Sequence, residues 1–379
     1  MIYFDNAATT YPKPECMYEA MDYAQRNLAF NAGRGSYKKS KEAHDTIEEC
    51  RRFLCEKANA KSLIFTPSAT HSLNMVTAGL SFNKGDIVYC SPYDHNAIVR
   101  TLYENARKYN FTIKQIPLND DLSIDIDSFQ IACMKDKPKA IYCTHVSNVT
   151  GYILPIDKIG EIASKFNSLF IVDGAQAFGL VPVDLQDNSI DYYIFAGHKT
   201  LYGPFGIAGI LCKDVNIKLE GSFYGGTGSD SLNVYMPIEG TIKYEPSSPN
   251  IVACYSLLES SKYTFENSIL KHEIELYNYL YNELSKIDDI ILYRAPSNNA
   301  YTGILSMNIK GYKSNEVADI LEDDFDIAVR SDYHCAPFIH KYLDSISYLG
   351  TVRISLGFFN NVDQCDRLIR ALEEICYDV

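Results

Sequence analysis

Two stretches decide the architecture of this chain: Leu169-Phe-Ile-Val-Asp-Gly-Ala-Gln176 and Tyr192-Tyr-Ile-Phe-Ala-Gly-His-Lys199. Each is an apolar run that ends at a glycine and carries one charged residue at its tip, Asp173 in the first and Lys199 in the second. Continuous apolar runs, unlike alternating ones, mark strands covered on both faces, as in parallel sheets. Outward from these two, further strand-like runs occur at Leu63–Thr66, Ile87–Ser91, Phe111–Ile116, Ala140–Thr144 and Ile207–Cys212. Amphipathic stretches at Thr70–Ser81, Ala97–Tyr109 and Ile156–Phe166 lie between them. The alternation predicts an α/β sheet wrapped by helices.

From about Pro246 the texture changes. Helices are expected over Ile251–Phe265, Ile269–Ile287, Ser314–Glu322 and Val362–Cys376, with strands at Ile290–Tyr293, Gly303–Ile309, Ala328–Arg330 and Thr351–Ser355. Long helices followed by spaced short strands predict a second, smaller α+β domain. The expected division is residues 1–15 as an N-terminal segment packing on the small domain, 16–250 as the large domain and 251–379 as the small one.

Composition narrows the function. The 379 residues carry 35 Lys+Arg against 48 Asp+Glu, a net charge of −13, with no dense basic cluster. A nucleic-acid groove or an anionic membrane surface is therefore not expected, although backbone amides can still hold a small anion. No basic segment followed by an apolar one opens the chain, and the apolar runs are too short to span a bilayer, so a cytoplasmic location is expected. Eleven cysteines occur without a CxxC or CxxH pair. Most sit in apolar runs (Cys90, Cys143, Cys212) and read as small hydrophobes, so neither disulfides nor a metal is expected.

The two strand tips point to a chemistry. Pyridoxal phosphate enzymes acting on amino acids need a Schiff-base lysine, an acid facing the pyridine nitrogen, a phosphate cup and a group stacked on the ring. Adjacent strands could aim Asp173 and Lys199 at one ligand, with small residues admitting a flat ring. Taken singly, the aspartate also reads as a turn or cap residue and the lysine as a solvated side chain.

Around these residues the chain resembles the class V aminotransferase family, and within it the cysteine desulfurase branch in its SUF-type (group II) form, which also includes selenocysteine lyases. Seven segments carry the resemblance in the family's order. They are Tyr3-Phe-Asp-Asn-Ala-Ala-Thr-Thr10, Phe65-Thr-Pro-Ser-Ala-Thr-His-Ser-Leu-Asn74, Asp94-His-Asn-Ala97 and Val146-Ser-Asn-Val-Thr-Gly151. Gly197-His-Lys199, Arg330-Ser-Asp-Tyr-His-Cys-Ala-Pro337 and Val352-Arg-Ile-Ser355 complete the set. The resemblance implies pyridoxal phosphate transferase fold type I, with a mostly parallel seven-stranded sheet in the large domain.

It also implies roles. Ala69 and Thr70 would meet the phosphate at a helix start, His95 would stack on the ring and shuttle protons, and Asp173 would pair with the ring nitrogen. Gln176 and Asn148 would hold the phenolate oxygen, Asn148 also reaching the substrate. His198 would contact the phosphate, and Lys199 would carry the cofactor and move the Cα proton. Arg353 would take the substrate carboxylate by a planar two-pronged contact; its ordinary reading is a salt bridge to the helix after Asn360. Cys335 lies on a polar turn beside His334, where an imidazolium or helix N-terminus would favour the thiolate; otherwise it is a helix-start cysteine. Arg330 would shape that loop.

Two positions depart from the family pattern. Ala196 replaces a hydroxyl residue, and Ser247-Ser248 stands where Gly-Thr reaches a neighbouring subunit's phosphate. Ser248 can still donate, but Ser247 puts the backbone geometry in question. The implied partners are L-cysteine or L-selenocysteine, a second copy in a homodimer reached through Gly225-Gly-Thr-Gly-Ser229 and Ser248, and a sulfur-acceptor protein. The implied reaction moves sulfur from L-cysteine to Cys335 and releases alanine. Selenocysteine lyase, cystine or other C–S lyase and plain aminotransferase activities stay open, as does a catalytically silent scaffold.

Overall fold

The computed structural model describes residues 1–32, 35–228, 232–294, 296 and 301–377. The N-terminal part supplies a two-residue strand β1 (Ile2–Tyr3) and helices α1 (Glu15–Asn27) and α2 (Lys38–Lys57). Seven strands follow: β2 (Ser62–Thr66), β3 (Ile87–Cys90), β4 (Thr112–Gln115), β5 (Ala140–Thr144), β6 (Leu169–Asp173), β7 (Tyr192–Ala196) and β8 (Ala208–Cys212). They form one sheet in the order β2-β8-β7-β6-β5-β3-β4. The helices between them are α3 (Ala69–Gly79), α4 (Asn96–Tyr109), α5 (Ile126–Asp136) and α6 (Ile156–Lys165).

The five strands β4, β3, β5, β6 and β7 pair in parallel, whereas β8 runs antiparallel between β7 and β2. Every residue of β5, β7 and β8 is buried, which is why their apolar runs do not alternate. One layer packs residues of α2, α6 and the later helix α7 (Ile251–Glu266), such as Ile47, Ile159 and Leu257, against one sheet face. The other packs Leu73 and Leu102, from α3 and α4, against the opposite face. Each such side chain contributes on the order of 1.5–3 kcal/mol by leaving water.

β3 is the switch point of this topology. Its chain continues outward to β4, then crosses back so that β5, β6 and β7 are laid down on the other side. In open α/β sheets of this kind a crevice forms beyond the carboxyl ends of the strands at the reversal. Glycine is required at the tip of β6, because a Cβ on Gly174 would lie 2.1 Å from the Tyr193 ring.

After α7 (Ile251–Glu266) and α8 (Ile269–Leu284) comes a three-stranded antiparallel sheet ordered β12-β10-β9, from β9 (Ile290–Tyr293), β10 (Ile304–Ile309) and β12 (Val352–Ser355). Helices α9 (Ser314–Asp323), α10 (Ile339–Tyr342) and α11 (Val362–Tyr377) and strand β11 (Ile327–Ala328) complete this part. Ile2 and Phe4 enter its core beside Leu305, Ile354 and Leu372. β1 pairs with β11 in parallel, and Asp5 bridges to Ser355.

The strand expected over Ala328–Arg330 is shorter and earlier, Ile327–Ala328, because the chain then leaves for a loop in which Asp332 takes φ 81°. Helices α1, α2 and α5 have no counterpart in the sequence reading. Their buried stripes are short or made of small residues: Ala20 and Ala24 in α1, Ser40, Ala43 and Cys50 in α2.

Candidate active site

The carboxyl ends of five strands open into one cavity of about 110 Å³. Ser68, Ala69 and Thr70 enter it after β2, and His95 after β3. Thr144 and Asn148 come from the end of β5 and the turn after it, Asp173 and Gln176 from β6, and Ala196, His198 and Lys199 from β7. Eight of the nine cofactor-facing residues expected from sequence thus meet at one place, with Ser248 as the exception. A larger cavity of about 580 Å³ contains Ser247 and Ser248, and within one chain the structure does not bring Ser248 to Lys199.

The Lys199 ammonium makes no hydrogen bond or ion pair among the described residues, although its carbonyl accepts from Thr10 Oγ1 at 3.0 Å and the Tyr202 N–H at 2.8 Å. Burial pushes its ammonium down to about 8, against the opposing pull of Asp173; the nearby Arg353 and Arg330 act in the same direction as burial. Asp173 is buried, and burial raises its carboxyl, opposed by the Ala175 N–H, which donates to Oδ1 at 3.0 Å, and by the charge of Lys199. Among the described residues no cation lies within 4 Å of it. A buried carboxylate without a cation in contact is costly, so a cationic group seated against Asp173 would be favoured.

His95 is the N-cap of α4. Its Nδ1 accepts from the Ala97 N–H at 3.0 Å, which leaves Nε2 to carry the proton of a neutral ring. Burial first, then the charges of Lys199 and Arg330, push it down to about 3. His198 stacks on Phe205 at 4.6 Å and is pushed down to about 4 by burial, with Lys199 and Lys13 adding to the effect. Its Nδ1 is buried without a partner. The His198 carbonyl is held by the N-terminal segment: Lys13 Nζ donates at 2.7 Å, Thr9 Oγ1 at 3.0 Å and the Thr10 N–H at 3.2 Å. Burial pushes Lys13 down to about 7.

Thr70 is not the N-cap of α3. α3 begins at Ala69, its cap is Ser68, whose side chain accepts from the His71 N–H, and Thr70 is exposed. The Pro67-Ser68 pair before the helix was the available signal. Gln176 Nε2 donates to Ala7 O at 2.7 Å. Ala196 lies in the wall without a hydroxyl, as read. Ser247 takes φ 96°, a left-handed conformation costly for serine. The Gly225–Ser229 segment ends at Ser229, which lies outside the described residues.

Arg353, on β12, is fully buried. The salt bridge expected with the helix after Asn360 is not the one formed: Nη2 pairs with Asp5 Oδ1 at 2.5 Å, and Nη1 donates to Asn148 O at 3.0 Å. Burial lowers its pKa, and Asp5 opposes that. Asp5 was missed as a functional residue although it lies within the N-terminal segment quoted above; nothing local marks its distant partner.

Cys335 is the exposed cysteine among the eleven. Its loop is bound to the cavity wall: the Asn96 N–H donates to Cys335 O at 2.6 Å, and Asn148 Nδ2 to His334 O at 2.7 Å. Asp332, His334 and Cys335 all have left-handed φ, of 81°, 46° and 58°. The imidazolium expected beside the sulfur is absent. His334 is buried, its Nε2 faces Thr351 Oγ1 at 2.8 Å, and burial holds it well below the usual histidine range, hence neutral. The neighbouring cation is instead Arg330, whose Nη2 lies 3.5 Å from Cys335 Sγ. A guanidinium there complements an anionic sulfur.

Together the cavity offers an amine, a carboxylate lacking a cation, a ring to stack and amides at a helix start, with a thiol tethered to its wall. A flat, electrophilic group with an anionic tail would satisfy these together. No group of three His, Cys, Asp or Glu among the described residues is placed to hold a metal, and no described helix is long and apolar enough to cross a membrane.

The family model described as Aminotransferase class-V matches residues 2–368. A protein of Methanothermobacter thermautotrophicus named probable cysteine desulfurase is 31% identical over 382 residues, 99% of this chain and 94% of its own. One of the same name from Halalkalibacterium halodurans is 30% identical over 387 residues, 99% of this chain and 93% of its own. Among solved structures, the apo cysteine desulfurase of Thermococcus onnurineus superposes with a TM-score of 0.92 at 29% identity, covering 100% of this chain and 95% of its own.

Proposed function

The chain belongs to the class V aminotransferase family, and from that membership we propose that it is a pyridoxal-phosphate-dependent cysteine desulfurase, moving sulfur from L-cysteine to Cys335 and releasing L-alanine. One observation carries the reading: Asn148, in the wall of the cavity that holds Lys199 and Asp173, and Asn96, between the wall residues His95 and Ala97, both bind the Cys335 loop.

The family is pyridoxal-phosphate-dependent, and the unmet needs of this site fit that group. Asp173 lacks a cation, which a protonated pyridine nitrogen would supply, and the orphaned His198 Nδ1 and the start of α3 suit its phosphate. Lys199 would hold it covalently, His95 would face its ring, and Gln176 and Asn148 would face its phenolate oxygen. When bound, the cofactor supplies an electrophilic carbon and an electron sink.

The remaining steps fall to this chain's own groups. Lys199, with its amine lowered to about 8, has a larger neutral fraction near pH 7 than an ordinary lysine, and Nζ would take the proton from the substrate Cα. Arg353 would bind the substrate carboxylate. The Cys335 sulfur, beside Arg330, would attack the substrate sulfur. An S–S bond forms as the Cβ–S bond breaks, the carbon keeps the electron pair and takes a proton, and the enzyme is left with a persulfide.

We further infer a cytoplasmic homodimer with the small domain carrying the cysteine loop. Leu232, Val234, Tyr235 and Ile238 are 81–98% exposed within seven residues of one another, an apolar strip of the kind that marks an interface. Ser248, in its separate cavity, would then serve the other subunit's site. A sulfur-acceptor protein is a further expected partner.

The test is product analysis. The purified protein with pyridoxal phosphate and L-cysteine should release alanine and carry a persulfide on the Cys335 peptide. Sulfide release undiminished in Cys335→Ala would defeat the assignment, and selenocysteine turnover retained in that variant would favour a selenocysteine lyase.

A further inference from the structure

The partner that Arg353 already has bears on how it would take a substrate. Every atom of this arginine is buried, so no carboxylate can reach the guanidinium unless its surroundings yield. Two groups accept from it, Asn148 O and Asp5 Oδ1, while Nε is buried without a partner. A two-pronged carboxylate contact takes two neighbouring N–H groups of the fork, and only one of Arg353's nitrogens is unengaged.

The two acceptors differ in their freedom. Asn148 O belongs to a buried turn locked by Ser147 N–H to Tyr152 O at 2.9 Å and Gly151 N–H to Ser147 O at 3.0 Å. The Asp5 side chain retains 21% exposure. Its backbone is anchored independently of its carboxylate, by Tyr3 Oη and the Ala8 N–H donating to Asp5 O at 3.0 Å each. Rotation of this one side chain frees Arg353 without breaking a backbone hydrogen bond.

We propose that Asp5 is a built-in stand-in for the substrate α-carboxylate, which the incoming amino acid displaces from Arg353. The inference rests on the carboxylate role proposed for Arg353 above. Stripping a buried charge of its partner is strongly unfavourable, whereas exchanging one carboxylate for another keeps it paired. Arg353 therefore yields only to ligands that bring a carboxylate. An amine without one, such as cysteamine, has nothing to offer in exchange. Because Asp5 is tethered, it competes at a high effective concentration and weakens every carboxylate ligand alike.

The experiment measures binding rather than turnover. The protein with pyridoxal phosphate bound is titrated calorimetrically with L-alanine and, as a control without a carboxylate, with ethylamine. Asp5→Asn should bind L-alanine about tenfold more tightly than the wild type, a gain set by the lost intramolecular competitor, with ethylamine unchanged. L-alanine binding no tighter in Asp5→Asn overturns the proposal, as does equal tightening for ethylamine. Arg353→Met separates the two levels. If it binds L-alanine as well as the wild type, the carboxylate role of Arg353 itself fails; if it binds weakly while Asp5→Asn is unchanged, only the displacement fails. Should Asp5→Asn not fold, a structure of the wild-type holoprotein with L-alanine decides: Asp5 rotated off Nη2 supports the exchange, and Asp5 still paired to Nη2 refutes it.

Discussion

Lys199 and Cys335 are held near the same cavity by opposite means. Lys199 follows β7, where Tyr192 to Ala196 are buried and laddered to β6 and β8. Cys335 stands in a loop where three of the four residues from Asp332 to Cys335 have left-handed φ. There, polar tethers to Asn96, Asn148 and Thr351 replace a strand ladder. The first arrangement is secured by apolar burial and the second by hydrogen bonds that offset strain of order 1–3 kcal/mol per residue. A rigid tip suits a group that keeps its place throughout a reaction. A tethered, exposed loop suits one that receives sulfur and must then present it elsewhere.

Several variants would break or sharpen this contrast. Lys199→Ala should reduce alanine release by a factor of roughly 10³ or more and remove the covalently held cofactor, read from its absorbance, while leaving the melting temperature near that of the wild type. Cys335→Ala should lower desulfuration of L-cysteine by about 10²-fold or more with that absorbance intact, since no ladder depends on the loop. An altered spectrum would show that the two regions are not independent. Asn148→Ala, which severs the tether to His334 O, should slow persulfide formation about tenfold, the equivalent of one charge-free hydrogen bond, measured by trapping the persulfide on the Cys335 peptide.

The loop should also carry an acid sensitivity of its own, beside that of the buried His95 and His198. Folding lowers the pKa of His334, so the unfolded chain binds a proton that the folded one excludes. Stability from this group is complete above the unfolded histidine value of about 6.5 and is lost as pH falls below it, by up to about 1.4 kcal/mol per pH unit. Urea midpoints between pH 5 and 7.5 should fall on acidification more steeply in the wild type than in His334→Asn. The smallest effect is expected from Asp332→Gly, which relieves one left-handed residue and should stabilise the protein by about 0.5–1 kcal/mol; a loss of stability would mean that the strain is compensated by the Asp332 side chain.

What the sequence disclosed follows the same division. The large-sheet strands were legible because residues buried on both faces leave unbroken apolar runs, and Asp173 and Lys199 mark the ends of two of them. The seam between Asp5 and Arg353 was not, because a pair formed across most of the chain length leaves no local trace. The neutral state of His334 was not legible either, because burial, which keeps it neutral, is a property of the packed loop and not of the tripeptide. Helices α1 and α2 escaped notice for a packing reason: α1 lies so close to α7 that alanines line its buried side, and alanine writes a faint stripe.

The grip of Lys13, Thr9 and Thr10 on the His198 carbonyl has a practical corollary. The N-terminal segment is part of the scaffold that positions the residue before Lys199, the proposed Schiff-base lysine. A purification handle or fusion partner joined ahead of Met1, whose ammonium pairs with Asp326, pulls on that scaffold directly.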